Sequence, residues 1–162
     1  MFTLAATLVF ATSLQMVCGA PAPILLPRAI ASLPIAEIVC PDTRDGSDPA
    51  TASVAFNDFQ IEDAAQRGMF SEPGTSDPNP GGYASSFRND EAFVFANCNN
   101  GNLFEYPILA GGNVYGGGDP GPFRVIFTPD PDFASRNGIY CGTVYHPRAA
   151  DGSQGRNFAL CT

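Results

Sequence analysis

The 162-residue sequence has no lysine and a single histidine, and its 8 arginines face 16 aspartates and glutamates for a net charge of −8. Binding nucleic acid over a broad face means neutralising many phosphates, so this balance argues against that mode while leaving room for an enzyme that holds one phosphate. With one histidine and no Cys-x-x-Cys pair, the chain also lacks the ligand spacing of a zinc site. No metal or cofactor is expected. No apolar run reaches membrane-spanning length: Phe2 to Val17 is uncharged and mostly apolar, but shorter than the roughly 20 residues of a span. It runs into the small residues Cys18-Gly19-Ala20 and reads as a secretory signal peptide over residues 1–20, with only the N-terminal amine as positive charge.

Secretion governs how the cysteines are read. Cys18 leaves with the signal, and Cys40, Cys98, Cys141 and Cys161 remain, an even number in an oxidising compartment. They allow three pairings, and two disulfides would each add about 2–4 kcal/mol. Residues 21–39 hold prolines 21, 23, 27 and 34 and are expected to be an extended N-terminal segment or pro-segment, with the folded domain over 40–162.

Within that domain, Pro41 to Pro49 is a polar turn segment. Thr51 or Ser53 can cap a helix running to about Arg67, with Ala52, Ala55, Phe56 and Phe59 at helical spacing and Gly68 as its stop. A Pro- and Gly-rich loop follows over Glu72 to Gly82. Short alternating runs at Ala92 to Ala96, Phe104 to Leu109, Phe123 to Thr128, Ile139 to His146 and Asn157 to Cys161 read as strands. The pattern predicts an α+β fold: one α-helix packed on a twisted antiparallel sheet of about five strands.

Alternation also assigns faces. Phe104, Tyr106 and Ile108 point to the helix, as do Phe123, Val125 and Phe127, which sends Glu105 and Arg124 to the opposite, open face. On the next run Gly142, Val144 and His146 oppose Cys141, Thr143 and Tyr145. A carboxylate, a guanidinium and an imidazole can therefore share one face of the sheet, as general base, anion clamp and general acid. That set suits phosphoryl transfer. Each residue alone has an ordinary explanation, an exposed strand Glu, a salt-bridged Arg, a structural His; their joint placement makes the chemistry.

The runs Glu105-Tyr-Pro-Ile-Leu, Gly121-Pro-Phe-Arg-Val-Ile-Phe, Tyr140-Cys-Gly-Thr-Val-Tyr-His and Asn157-Phe-Ala-Leu-Cys-Thr resemble, in order and spacing from about Tyr83 to Thr162, the fungal guanyl-specific ribonucleases. Their purine-preferring and sarcin-like relatives share the pattern. The resemblance implies Glu105 as general base, His146 as general acid, Arg124 as phosphate clamp, Tyr83 as a hydrogen-bond partner of the phosphate and Phe158 as the apolar wall beside it. For the base it implies Phe87 as stacking partner, Asn89 as a backbone contact and Glu91 as acceptor for the guanine N1 and N2 groups. It also implies the pairs Cys98–Cys141 and Cys40–Cys161. Ser85 stands where the family carries a histidine that assists the base, and Arg88 and Asp90 depart from the base-recognition loop. The implied activity is that of a secreted, extracellular, monomeric endoribonuclease. It would cut single-stranded RNA after purines, chiefly guanine, through a 2′,3′-cyclic phosphate, sparing DNA and having no membrane partner. Ser85 supports an alternative, a catalytically weak or inactive secreted ribonuclease-like effector that binds RNA or a host protein. A ribosome-cleaving toxin would want long basic loops, which a chain without lysine lacks.

Overall fold

The computed structural model describes residues 29–44, 46–70, 80–98, 101–130, 137–149 and 151–162. The signal peptide expected over 1–20, and most of the loop expected over 72–82, lie outside these residues.

The α+β architecture is as the alternation predicts. Strands β5 (Phe104–Pro107), β6 (Phe123–Pro129), β7 (Gly138–Tyr145) and β8 (Ala159–Leu160) fall on four of the expected runs. Four more strands lie outside the expected runs. β4 (Ser85–Ser86) and β1 (Ile30–Ala31) complete a six-stranded sheet in the order β1-β7-β6-β5-β4, with β8 also paired to β7. β1 runs parallel to β7, so the sheet is mixed and not purely antiparallel. β2 (Ile38–Pro41) pairs with β3 (Ser53–Phe56) in a separate hairpin.

β3 corrects the expected helix start. Residues 53–56 alternate in burial with a period of two, Phe56 being fully buried, while Phe59 is 72 % exposed. The helix α1 is Asp58–Phe70, and Asn57 caps it: its side chain accepts from the Gln60 amide at 3.0 Å and the Gln60 side chain accepts from the Asn57 amide at 3.0 Å. This reciprocal pair satisfies two amide donors that a helix start leaves free. Gly68 is not a stop. It lies inside α1, where a Cβ would come within 2.7 Å of the Phe127 ring, so the missing side chain lets the helix settle onto β6.

The expected strand at Ala92 to Ala96 is also absent. Asn89 and Ala92 have positive φ, and the Asn89 side chain both accepts from the Phe93 amide (2.8 Å) and donates to the Phe93 carbonyl (2.9 Å). A loop closed on itself in this way cannot extend into a ladder.

Two apolar clusters sandwich the sheet. On the helix side Phe56, Ile61, Ala65, Tyr106, Phe123, Val125 and Phe127 pack together; on the other side Phe87, Phe95, Leu103, Ile126 and Val144 pack around the Cys98–Cys141 disulfide. The face expected to be open is therefore largely covered. Cys141 reaches it through a bulge: Ile126 pairs with Gly142 and Phe127 with Tyr140, leaving Cys141 as the extra residue and turning it away from Thr143. The second disulfide, Cys40–Cys161, ties β2 to the C-terminus, beside a reciprocal backbone pair between Val39 and Thr162.

Candidate active site

Strand pairing brings the chemical residues together. Pro107 of β5 pairs with Arg124 of β6, which pairs with Val144 of β7, so Glu105, Arg124 and His146 emerge on one face as the alternation requires. His146 directly follows β7 and stays held, its amide donating to the Pro122 carbonyl at 2.9 Å and its carbonyl accepting from the Thr43 hydroxyl at 2.9 Å.

Ser85 pairs with Glu105 across β4 and β5, and its hydroxyl donates to Glu105 Oε1 at 2.9 Å. The other oxygen, Oε2, is buried with no hydrogen-bond partner among the described residues. Burial pushes the Glu105 carboxyl above its ordinary value; the Ser85 hydrogen bond and the Arg124 charge pull the other way, and nearby Glu91 adds to the rise. A carboxylate so placed is a stronger base than an exposed one.

Arg124 is only 3 % exposed, so it is a buried cation and not the solvent-facing side chain alternation alone suggests. Its Nη1 donates to the carbonyls of Pro120, Gly121 and Phe123, and its Nη2 donates to the Tyr83 hydroxyl at 3.0 Å. The guanidinium carbon lies 5.2 Å from the Tyr83 ring centroid. Carbonyl dipoles and an aromatic face offset part of the cost of burying the charge. Its Nε is buried without a partner among the described residues, a donor facing no acceptor. The Tyr83 hydroxyl accepts from Arg124 and keeps its own proton to donate.

The His146 ring lies on Phe158, with centroids 3.9 Å apart and planes inclined at 32°. Its Nδ1 is 3.2 Å from the Asn157 carbonyl, which leaves Nε2 as the nitrogen able to give up a proton. Burial lowers the imidazole below its ordinary value and the Arg124 charge lowers it further, while backbone carbonyls and Glu91 oppose both.

A cavity of about 370 Å³ opens beside this group, lined by Phe87, Asn89, Glu91, Phe158 and Glu105 itself. The three residues expected to bind the base and Phe158, expected beside the phosphate, are all there, though not all as free side chains. Phe87 is 7 % exposed, its ring packed edge-on against Phe95 and Phe158. The Asn89 amide is used to close its own loop, so only its backbone faces a ligand. Glu91 Oε1 accepts from the Phe158 amide at 2.7 Å, which joins the loop to the residue before β8 and leaves Oε2 for a ligand. Arg156, exposed at the rim, also lines this cavity, as do Arg88 and Asp90, which pair with each other at 3.1 Å. Sequence reasoning missed Arg156 and Thr43. Arg156 sits two residues before Phe158, a cue in principle; Thr43 contacts a residue 103 positions away and gives no local signal.

A buried carboxylate, a buried cation and an imidazole on one sheet face, next to a cavity lined by an aromatic ring and a second carboxylate, form a set suited to acid–base chemistry on an anionic substrate. The family model for ribonucleases matches residues 44–162, and the chain belongs to that family. Guanyl-specific ribonuclease T1 of Aspergillus oryzae is 32% identical over 139 residues, covering 86% of this chain and 92% of its own. Guanyl-specific ribonuclease U1 of Ustilago sphaerogena is 33% identical over 81 residues, 50% of this chain and 68% of its own. Extracellular guanyl-specific ribonuclease Fl1 of Gibberella baccata is 38% identical over 80 residues, 49% and 63% of the two chains.

Proposed function

We propose that the protein is a secreted endoribonuclease that cleaves single-stranded RNA after purine, chiefly guanine, nucleotides. The observation that carries this reading is the pair of buried, unsatisfied polar atoms, Glu105 Oε2 and Arg124 Nε. Unmet hydrogen bonds of this kind cost about 1–3 kcal/mol each, and a ribose hydroxyl donating to the carboxylate together with a phosphate oxygen accepting from the guanidinium would relieve both.

In this mechanism Glu105 Oε2 takes the proton of the 2′-hydroxyl as its oxygen attacks the adjacent phosphorus. The bond from phosphorus to the 5′-oxygen breaks, and His146 Nε2 delivers the proton that neutralises the departing alkoxide. Arg124 and the Tyr83 hydroxyl stabilise charge on the non-bridging oxygens, within walls formed by Phe158. A 2′,3′-cyclic phosphate results, and DNA, which lacks the 2′-hydroxyl, survives. Ser85 supports the base with a hydrogen bond but no charge, so we expect a lower rate than a histidine there would give. In the base cavity Glu91 Oε2 is the acceptor for the N1 and N2 groups of guanine. The guanyl-specific relatives support this preference, and the two disulfides, together with the extracellular relative, support secretion with loss of residues 1–20. The protein is expected to act as a monomer.

Incubating the mature protein with poly(G), poly(A), poly(C) and poly(U) and mapping the cut ends tests the reading. Purine homopolymers should be cut and pyrimidine ones spared. An intact set of all four would leave the binding-only alternative, which Ser85 alone favours.

A further inference from the structure

The base cavity carries a cation that the mechanism above leaves unused. Arg156, exposed at the rim, lines it together with Asn157 and Phe158. Arg44 and Arg88 are paired with aspartates, and Arg124 and Arg148 with backbone carbonyls, whereas the Arg156 side chain has no hydrogen bond or ion pair among the described residues. Its backbone is bracketed instead. On one side the Gly155 amide donates to the Pro147 carbonyl at 2.7 Å, an approach so close that a Cβ on Gly155 would lie 2.6 Å from that oxygen. On the other, the Asn157 carbonyl lies 3.2 Å from His146 Nδ1 and the Phe158 amide donates to Glu91 at 2.7 Å. The free guanidinium therefore stands on a wall fixed both to the general acid and to the carboxylate expected to read the base. The other charges around it do not favour RNA. Glu91 and Glu105 line the same cavity, and Arg88 and Asp90 offset each other as a pair. On a chain of net charge −8, an unpaired cation beside those carboxylates offers a phosphate the attraction that they withhold.

We propose that Arg156 binds the phosphate on the 5′ side of the nucleotide whose base fills this cavity, so that the enzyme favours a purine inside an RNA chain over one at its 5′ end. The proposal rests on the endoribonuclease reading above. In that reading the 2′-hydroxyl and 3′-phosphate of this nucleotide lie at Glu105 and His146, beside Phe158. Its 5′-carbon leaves the ribose on the side opposite the 3′-phosphate, so the preceding phosphate lies away from His146, at the mouth of the cavity. Arg156 is placed to meet it. From Phe158, packed on the His146 ring, the backbone reaches the exposed Arg156 two residues earlier, at most about 7 Å of chain, and the arginine side chain extends that reach. A planar guanidinium with its donors free can take two oxygens of one phosphate at once.

The test uses the dinucleoside phosphate GpC, which has no phosphate before its guanosine, and the same molecule carrying a 5′-O-methylphosphate, a diester charge like that inside a chain. With wild-type protein at low salt, kcat/KM for the second should exceed that for the first by about 10-fold, the low end of what a hydrogen bond to a charged group supplies. In Arg156→Ala this preference should vanish or reverse, because the negatively charged chain then only repels the added phosphate. Arg156→Lys, which keeps the charge but not the fork, should retain an intermediate preference. Added salt should shrink the wild-type preference and move that of Arg156→Ala far less. Absence of any preference in the wild-type protein, or a preference that Arg156→Ala leaves intact, would overturn the proposal. So would a loss on both substrates in step, which would put Arg156 on the base instead. If wild-type protein cleaves neither substrate, the endoribonuclease reading itself fails, and this proposal with it.

Discussion

Glu105, Arg124 and His146 stand on or at the ends of three strands paired along their length, whereas past Phe87, whose amide bonds the Leu103 carbonyl and whose ring packs in the second apolar cluster, Asn89 and Glu91 come from a loop held by the Asn89 side chain and by one bond to the Phe158 amide. In the first region backbone ladders fix each side chain, and two apolar clusters clamp the sheet from both faces. In the second, a few local hydrogen bonds do the same work. Loops positioned by a rigid scaffold tolerate change better than the scaffold does. It is in and beside the loop that this chain carries Ser85, Arg88 and Asp90 in place of the family's residues. The proposed mechanism therefore assigns bond-making chemistry to the ladder, and choice of base to the loop.

Substitutions on the two regions should separate these roles. Glu105→Gln and His146→Gln should each lower kcat by about 10²-fold or more, the usual scale for removing a general base or acid, with KM changed far less. Near-normal turnover in either variant would remove that residue from the mechanism. Glu91→Gln should act on choice instead. Losing a charged acceptor is worth about 1.5–3 kcal/mol, so kcat/KM for GpC should fall about 10- to 100-fold while that for ApC stays nearly constant. Equal losses on both substrates would show that Glu91 serves only to hold the Phe158 amide.

Ser85 lies where the two regions meet, and its hydroxyl already engages the base. Ser85→His should raise the rate about 10-fold at pH 5, equivalent to only about 1.4 kcal/mol, by adding a cation where negative charge develops. The gain should fade as that imidazole loses its proton, at about pH 6.5 in an unperturbed setting. A folded variant no faster at pH 5 would mean that the hydroxyl suffices.

The smallest expected effect is on the pH profile. The base must be ionised and the acid protonated; burial raises Glu105 from 4.5 and lowers His146 from 6.5. The rising limb of kcat/KM should therefore lie above 4.5 and the falling limb below 6.5, giving a narrow bell for the free enzyme. Ser85→Ala removes a hydrogen bond that favours the carboxylate, so the rising limb should move to higher pH. A broad plateau reaching past pH 7 would contradict these shifts.

The ladder was legible in the sequence because alternation carries long-range information: once Tyr106, Val125 and Val144 are placed, Glu105, Arg124 and His146 can point only one way. What alternation could not convey was depth. That Arg124 is buried depends on carbonyls of the 120–123 turn and on Tyr83, 41 residues away. β1 and β4 have two residues each, too few for a period. Ser53 to Phe56 fitted helical and strand spacing alike until Asn57 and Gln60 showed where the cap lies. The support of His146 by Thr43 crosses from one end of the domain to the other, and no local pattern announces it.

Following GpC by phosphorus NMR as the protein acts on it tests most directly whether Glu105 and His146 form an acid–base pair acting through the 2′-oxygen. Guanosine 2′,3′-cyclic phosphate should accumulate first and give way to the 3′-phosphate, with the 2′-deoxy analogue untouched. A 3′- or 5′-phosphate appearing without the cyclic species, or cleavage of the deoxy analogue, would contradict it.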